Sequence, residues 1–291
     1  MTDEGSEIFR HSPQNDVFGV LEAFLKKNIL FYAFILSGLT FFVSQTEAAT
    51  IRISAPKVQL ELVPGETYSG EIVAENPTTE AVKVKIYLED WAYTPGAAGQ
   101  KTFTPVGSTS LSCGKWITFS PSDTTIEPFG RLQLRYTIKV PPDAKGGHYA
   151  VLFFETILGA ATDEEGVNVL VAGRIGSLFY IEAKGVAERK GKIESVNIKA
   201  PEGNKPFEIV TTFANTGDVD ITLNGKYLIM DKDGVVHGRG DLSSIYTFPG
   251  YKETEVTQWV GRLPKGDYQV LLTYDLGKGK TLVEEKTLTI T

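Results

Sequence analysis

From Thr50 onward the sequence predicts an all-β protein built as two tandem immunoglobulin-like sandwiches. Short segments of about five to nine residues alternate apolar and polar side chains, and Gly, Pro, Asn and Asp separate them. About seven such segments recur every ~100–130 residues, which is the rhythm of a sandwich. No window of useful length carries the 3.6-residue period of an amphipathic helix. The 29 glycines and 14 prolines among 291 residues suit a turn-rich chain.

The first 49 residues form a separate unit. Lys26 and Lys27 precede an apolar run from Ile29 to Val43, and Thr46-Glu47-Ala48 follows as a small-x-small exit. A positive flank, a short apolar core and a small-residue exit describe a secretory signal peptide. The run of about 15 residues falls short of the ~20 that span a bilayer comfortably. A polar leader stands before Lys26. Two readings fit it: a start placed too far upstream of a cleaved signal, or an uncleaved anchor with a polar tail. Both export the rest of the chain, to a periplasm or a cell surface, and membrane contact is expected only through this segment if it stays uncleaved.

The first sandwich is expected over residues 50–185. "IRISAPKVQLEL" is extended on both sides of Pro56, and "PGETYSGEIVAENP" reads as turn, strand and Asn-Pro turn. "AVKVKIYLEDWAY" sets Val82, Val84, Ile86 and Leu88 on one face against Lys83, Lys85, Tyr87 and Glu89 on the other. "KWITFSP", "RLQLRYTIKVPP", "GGHYAVLFFETI" and "VNVLVAGRIGSLFYIEA" complete it. Lys184 to Gly191 is polar and glycine-bounded and marks the junction. The second sandwich, over residues 186–291, holds further strand candidates, with Asp233-Gly234 as a hairpin turn between two apolar runs.

Reactive chemistry finds little support. A net charge of -7 gives no basic face for nucleic acid. The single cysteine, Cys113, excludes an intramolecular disulfide. A catalytic thiol needs a nearby base in an electropositive setting; His237 falls in the second sandwich, and His148 faces opposite to Tyr149. Cys113 therefore reads as a small core residue opening the "WITF" strand. No metal-ligand spacing is present, because Asp231-x-Asp233-Gly234 lacks the later ligands of a calcium loop. Arg239-Gly240-Asp241 reads as a chance tripeptide in a turn-rich chain, and Asp163-Glu164-Glu165 as a solvated loop. No phosphate-binding loop or other cofactor motif occurs, so no cofactor is expected and the chain is read as a non-enzyme.

An interaction surface remains. Val167, Val169 and Val171 share one face of their strand, while Leu170 and Ala172 lie on the other. A sandwich strand normally buries one face and wets the other. Two apolar faces imply a cover, and an edge strand there invites strand addition.

The series "SAPKVQLELVPGETYSGEIVAENPTTEAVKVKIYLEDW", "SCGKWITFSPSDTTIEPFGRLQLRYTIKVPP", "GGHYAVLFFETI" and "RIGSLFYI" resembles the N-terminal domain of the PapD-like periplasmic pilus chaperones, over roughly Ile51 to Ala183. It is also similar to tandem sandwich domains of bacterial surface proteins that interact with WxL proteins and peptidoglycan. The chaperone resemblance implies an edge strand that lends apolar side chains to an incomplete pilin subunit. It also implies two basic cleft residues that hold the subunit's terminal carboxylate. Lys57 matches the first basic position, and Val167, Val169 and Val171 match the donor positions. The second basic position, just before Leu178-Phe179-Tyr180, holds Gly176 and Ser177; the nearest charge is Arg174, and an odd shift along a strand reverses the face. Two functions stay open: a chaperone-like assembly factor for secreted surface or pilus subunits, and a structural or adhesive surface module binding protein or cell-wall glycan through exposed aromatics such as Trp91, Tyr93 and Trp259.

Overall fold

The computed structural model describes residues 51–162, 168–200 and 206–291, with side chains at 160–162 and 168 left undescribed. The signal-peptide reading, Val167 and Asp163-Glu164-Glu165 lie outside the described residues. Ala49–Thr291 forms one compact unit. Its first sandwich contains β1 (Arg52–Ile53), β2 (Lys57–Leu62), β3 (Thr67–Glu75), β4 (Val82–Tyr93), β5 (Lys101–Pro105), β6 (Ile117–Ser120), β7 (Asp123–Ile126), β8 (Arg131–Lys139), β9 (Gly147–Thr162) and β10 (Asn168–Ala183). Its second contains β11 (Gly191–Lys199), β12 (Phe207–Asn215), β13 (Ile221–Asp231), β14 (Val236–Thr247), β15 (Lys252–Trp259), β16 (Gly266–Gly277) and β17 (Lys280–Ile290).

In the first sandwich a sheet ordered β1-β3-β8-β6 faces a larger sheet ordered β2-β10-β9-β4-β5, with β7 also on β4. Pro56 works as a switch between them. It follows β1, which pairs with β3, and precedes β2, which pairs in parallel with the last part of β10. Proline cannot donate to a ladder, so it belongs where the chain leaves one sheet for another. Inward residues of both sheets, among them Ile72, Ile86, Leu134, Leu152, Phe154 and Phe179, fill the core.

β5 and β7 have no clear alternation in sequence. They form because β4 is long: β7 covers Val82–Lys85, β9 covers Lys85–Glu89, and β5 covers Glu89–Tyr93. Cys113 does not open a strand as expected. A 3₁₀ turn over Gly114–Trp116 intervenes, and β6 starts only at Ile117. The second sandwich sets β11-β12-β15 against β14-β13-β16-β17 around Phe207, Phe213, Ile229 and Leu272. The Asp233-Gly234 hairpin is present, with Gly234 at φ 80° and its N–H donating to Asp231 O at 3.0 Å; only glycine takes that dihedral freely.

Candidate functional site: an open strand edge and the cleft beneath it

β10 carries the site because its two ends have different neighbours. From Leu178 to Glu182 it is held on both sides, by β9 and by β2. From Asn168 to Gly176 its partner among the described residues is β9 alone, so within them the other edge presents unpaired backbone groups. The seam closes at Leu178, whose N–H donates to Pro56 O at 3.0 Å, and at Ser177, whose buried hydroxyl donates to Ala55 O at 2.6 Å.

Strand alternation places Val169, Val171, Gly173 and Ile175 on the face that continues inward to Phe179. Ile175 packs against the first core. Val169 and Val171 run beyond it and are 46% and 42% exposed. Leu170, on the opposite face, is 68% exposed, and Ile157 on β9 is 66% exposed. A bulge between Val171 and Ala172, opposite Leu158, interrupts the β9–β10 ladder here. The upper hairpin is thus apolar on both faces, as the sequence predicts, and has a free edge.

Below it, the outer face of the larger sheet runs into the second sandwich. Trp91 and Tyr93 of β4, Tyr149 of β9 and Tyr180 of β10 gather around Phe248. Tyr149 stacks on Phe248 with ring centroids 4.2 Å apart, and Trp91 meets Tyr180 edge-on at 4.9 Å. The Tyr149 hydroxyl accepts the Asp220 N–H at 2.6 Å and donates to Asp220 Oδ1 at 3.1 Å. Burial pushes the hydroxyls of Tyr93, Tyr149 and Tyr180 above their ordinary pKa, so all three stay neutral. Trp91 and Tyr93 are therefore not exposed ligand-binding aromatics; the second sandwich covers them. Trp259 packs partly buried against the second core, edge-on to Phe207.

A cleft of about 560 Å³ opens beside this cluster, lined by Lys57, Tyr180, Glu182, Arg189, Asp220 and Lys278 among others. Most of its charges are paired. Arg189 donates to Asp220 O at 2.6 Å and to Glu182 at 3.1 Å, while Lys278 bridges Glu182 and Glu61. Lys57 makes no ion pair among the described residues. Its Nζ lies 4.2 Å from the centroid of the Tyr180 ring, a cation–π contact that leaves the ammonium available to an anion.

Arg174 and Lys57 share the outer face, since Lys57 is in register with Leu178 and Arg174 lies an even number of residues before it. Arg174 is nonetheless engaged elsewhere, with Glu89 and the Tyr87 hydroxyl each at 3.2 Å. Neither replacement at the second basic position leaves room for a cation. A Cβ on Gly176 would meet Val151 Cγ2 at 2.7 Å and the Phe153 ring at 2.9 Å, and Ser177 points into the core.

The other candidates are absorbed by structure. Cys113 is fully buried and its thiol is pushed well above the ordinary range, first by desolvation and then by Asp90. It stays protonated and is a poor nucleophile. His148 lies against Trp116, centroids 4.2 Å apart. Asp231 accepts the Asp233 and Val235 N–H groups and pairs with His237 at 2.8 Å, which completes a turn rather than opening a calcium loop. Arg239-Gly240-Asp241 lies within β14, not in a turn.

No family model and no curated protein matches the chain. Fimbrial chaperones are among the solved structures it resembles in fold. They include the class 5 fimbriae chaperone CfaA, at 15% identity and a TM-score of 0.43, covering 81% of this chain and 98% of that one. A chain of the Salmonella enterica SafA pilin–SafB chaperone complex matches at 12% identity and a TM-score of 0.39, covering 84% and 98%. A chain of the CsuC–CsuE chaperone–tip subunit complex of Acinetobacter baumannii matches at 12% and 0.41, covering 81% and 98%. Function is read below from the edge and the cleft.

Proposed function

We propose that this chain is an exported, non-enzymatic assembly factor that captures secreted surface or pilus subunits by β-strand addition along the free edge of β10. One observation carries the reading: the edge from Asn168 to Gly176, unpaired among the described residues, coincides with apolar side chains that continue the line of the first core. A partner lacking a strand gains main-chain hydrogen bonds from such an edge and a row of apolar anchors from Val169, Val171 and, by sequence alternation, Val167. Lys57 supplies one cation at the cleft for an anionic group of the bound subunit. Arg174, paired with Glu89, supports the strand instead of the anion.

The test is co-expression with a candidate secreted subunit and co-purification. Val169→Asp is expected to abolish capture, because a carboxylate forced into a dry groove costs several kcal/mol, about a 100-fold loss or more. Lys57→Ala is expected to weaken capture by about tenfold or less, as befits one cation at an open cleft. Unchanged capture by folded Val169→Asp overturns the reading.

A further inference from the structure

The tripeptide Arg174-Ile175-Gly176 has an unusual setting on the outer face. The Arg174 guanidinium lies 4.0 Å from the Phe153 ring centroid and 5.4 Å from that of Phe103. Its Nη1 donates to both Glu89 carboxylate oxygens and to the Tyr87 hydroxyl, each at 3.2 Å. Tyr87 in turn donates to Glu155 Oε2 at 2.6 Å. Glu155 is the residue paired with Arg174 across the β9–β10 ladder, and it is also paired with Lys85 on β4. The Arg174 side chain thus leaves β10, crosses β9 over Phe153 and lands on β4. Gly176 makes the crossing possible: with no Cβ there, Phe153 leans over the β10 backbone and becomes the platform on which the guanidinium rests.

We infer that Arg174 is a positioning residue, a clamp that ties the projecting half of the β9–β10 hairpin to β4 and fixes the angle at which the free edge is presented. Its part in capture rests on the function proposed above. The clamp stands where support is needed. Above it a bulge breaks the hairpin's ladder and, among the described residues, neither β2 nor any other strand but β9 pairs with β10. A guanidinium suits the task because it is planar and always charged, so one amino group can reach a carboxylate while the plane lies on an aromatic face. The same geometry accounts for a cation that lies outside the paired-cleft position.

Hydrogen exchange of the full chain tests this without a client. Arg174→Gln is expected to speed exchange across the Asn168–Gly176 segment and the β9 residues opposite it by about tenfold, with the slowest amides of β3 and β8 unchanged. Arg174→Lys keeps the charge and loses the planar face that rests on Phe153, so it is expected to fall between. Gly176→Ala, which displaces Phe153 from beneath an intact Arg174, is expected to loosen the same segment. Exchange within about twofold of the parent in Arg174→Gln, or a uniform rise over the whole first sandwich, overturns the clamp. The two ideas fail separately. A Val169→Asp variant that still captures subunits removes the strand-lending reading and leaves this exchange result in place.

Discussion

Buried polar side chains at strand ends set the shape of both sandwiches. Asn76 is almost wholly buried after β3. Its amide donates to the carbonyls of Glu80, Ile126 and Glu127, and its Oδ1 accepts from the Thr78 N–H and hydroxyl. Asn215 repeats the device at the end of β12, donating to Val219 O and accepting from Gly217 N–H. Replacing Asn76 by Ala strands three carbonyls, so urea unfolding is expected to show a loss of about 2–4 kcal/mol; a loss below about 0.5 kcal/mol contradicts the assignment. Asp90 is a second such anchor, accepting from the N–H groups of Gly107 and Thr109 and from the Ser112 hydroxyl at 2.5 Å. Cys113 beside it is expected to resist alkylation at pH 8 in the native protein and to react only as the chain unfolds. Rapid labelling without unfolding would show that the thiol is neither buried nor protonated. At this scale the sequence is only partly legible. The turn at Asn76 and the core role of Cys113 can be read from residue type, because small and turn-forming residues act locally. The Asp90 anchor and the Arg174–Glu89 pair cannot, since their partners come from other strands and no local spacing announces them.

Strand β10 shows how one element can serve two purposes. Among the described residues its lower half is an interior strand and its upper half an edge, and a protection pattern should expose the division. On an edge, alternate N–H groups point at the paired neighbour or at water. Residue-resolved exchange is therefore expected to alternate from Asn168 to Gly176 and to be slow throughout Leu178–Ala183. Uniform protection over both halves would mean that the upper edge is already covered. The two apolar faces of this strand are plain in its sequence. Its edge position is not, because pairing is decided by where Pro56 turns β2 into the sheet. β5 and β7 escaped sequence reading for a related reason: they are recruited by the length of β4, not by their own pattern.

Across the whole molecule, the contact between sandwiches is an aromatic core in its own right. Phe248 enters the first sandwich's outer face among Trp91, Tyr93, Tyr149 and Tyr180, and the cluster is bordered by the Arg189–Glu182 and Lys278–Glu182 pairs. Phe248→Ala is expected to cost about 3–5 kcal/mol and to split one melting transition into two, read by calorimetry; a single unshifted transition contradicts the coupling. Asp220 adds a pH signature. Burial raises its carboxyl pKa above the ordinary 3.8, against the pull of Arg189, Tyr149 and Lys57. The folded state then holds the proton more tightly than the unfolded one, so this group's contribution falls as pH rises from 3.8 through its folded pKa, and is flat above it. The difference in urea midpoint between the parent and Asp220→Asn is expected to vary across that window; a pH-independent difference contradicts it. This assembly explains why "EDWAY" misleads as a sequence: aromatic side chains on an otherwise polar face look like a ligand platform until a second domain is found lying on them.

Hydrogen exchange on a purified complex with a captured secreted subunit addresses the free edge most directly. New protection should appear at the outward-pointing amides between Asn168 and Gly176, in alternation, while Leu178–Ala183 stays as it was. A stable complex in which those amides exchange as fast as in the free chain would show that the subunit binds elsewhere.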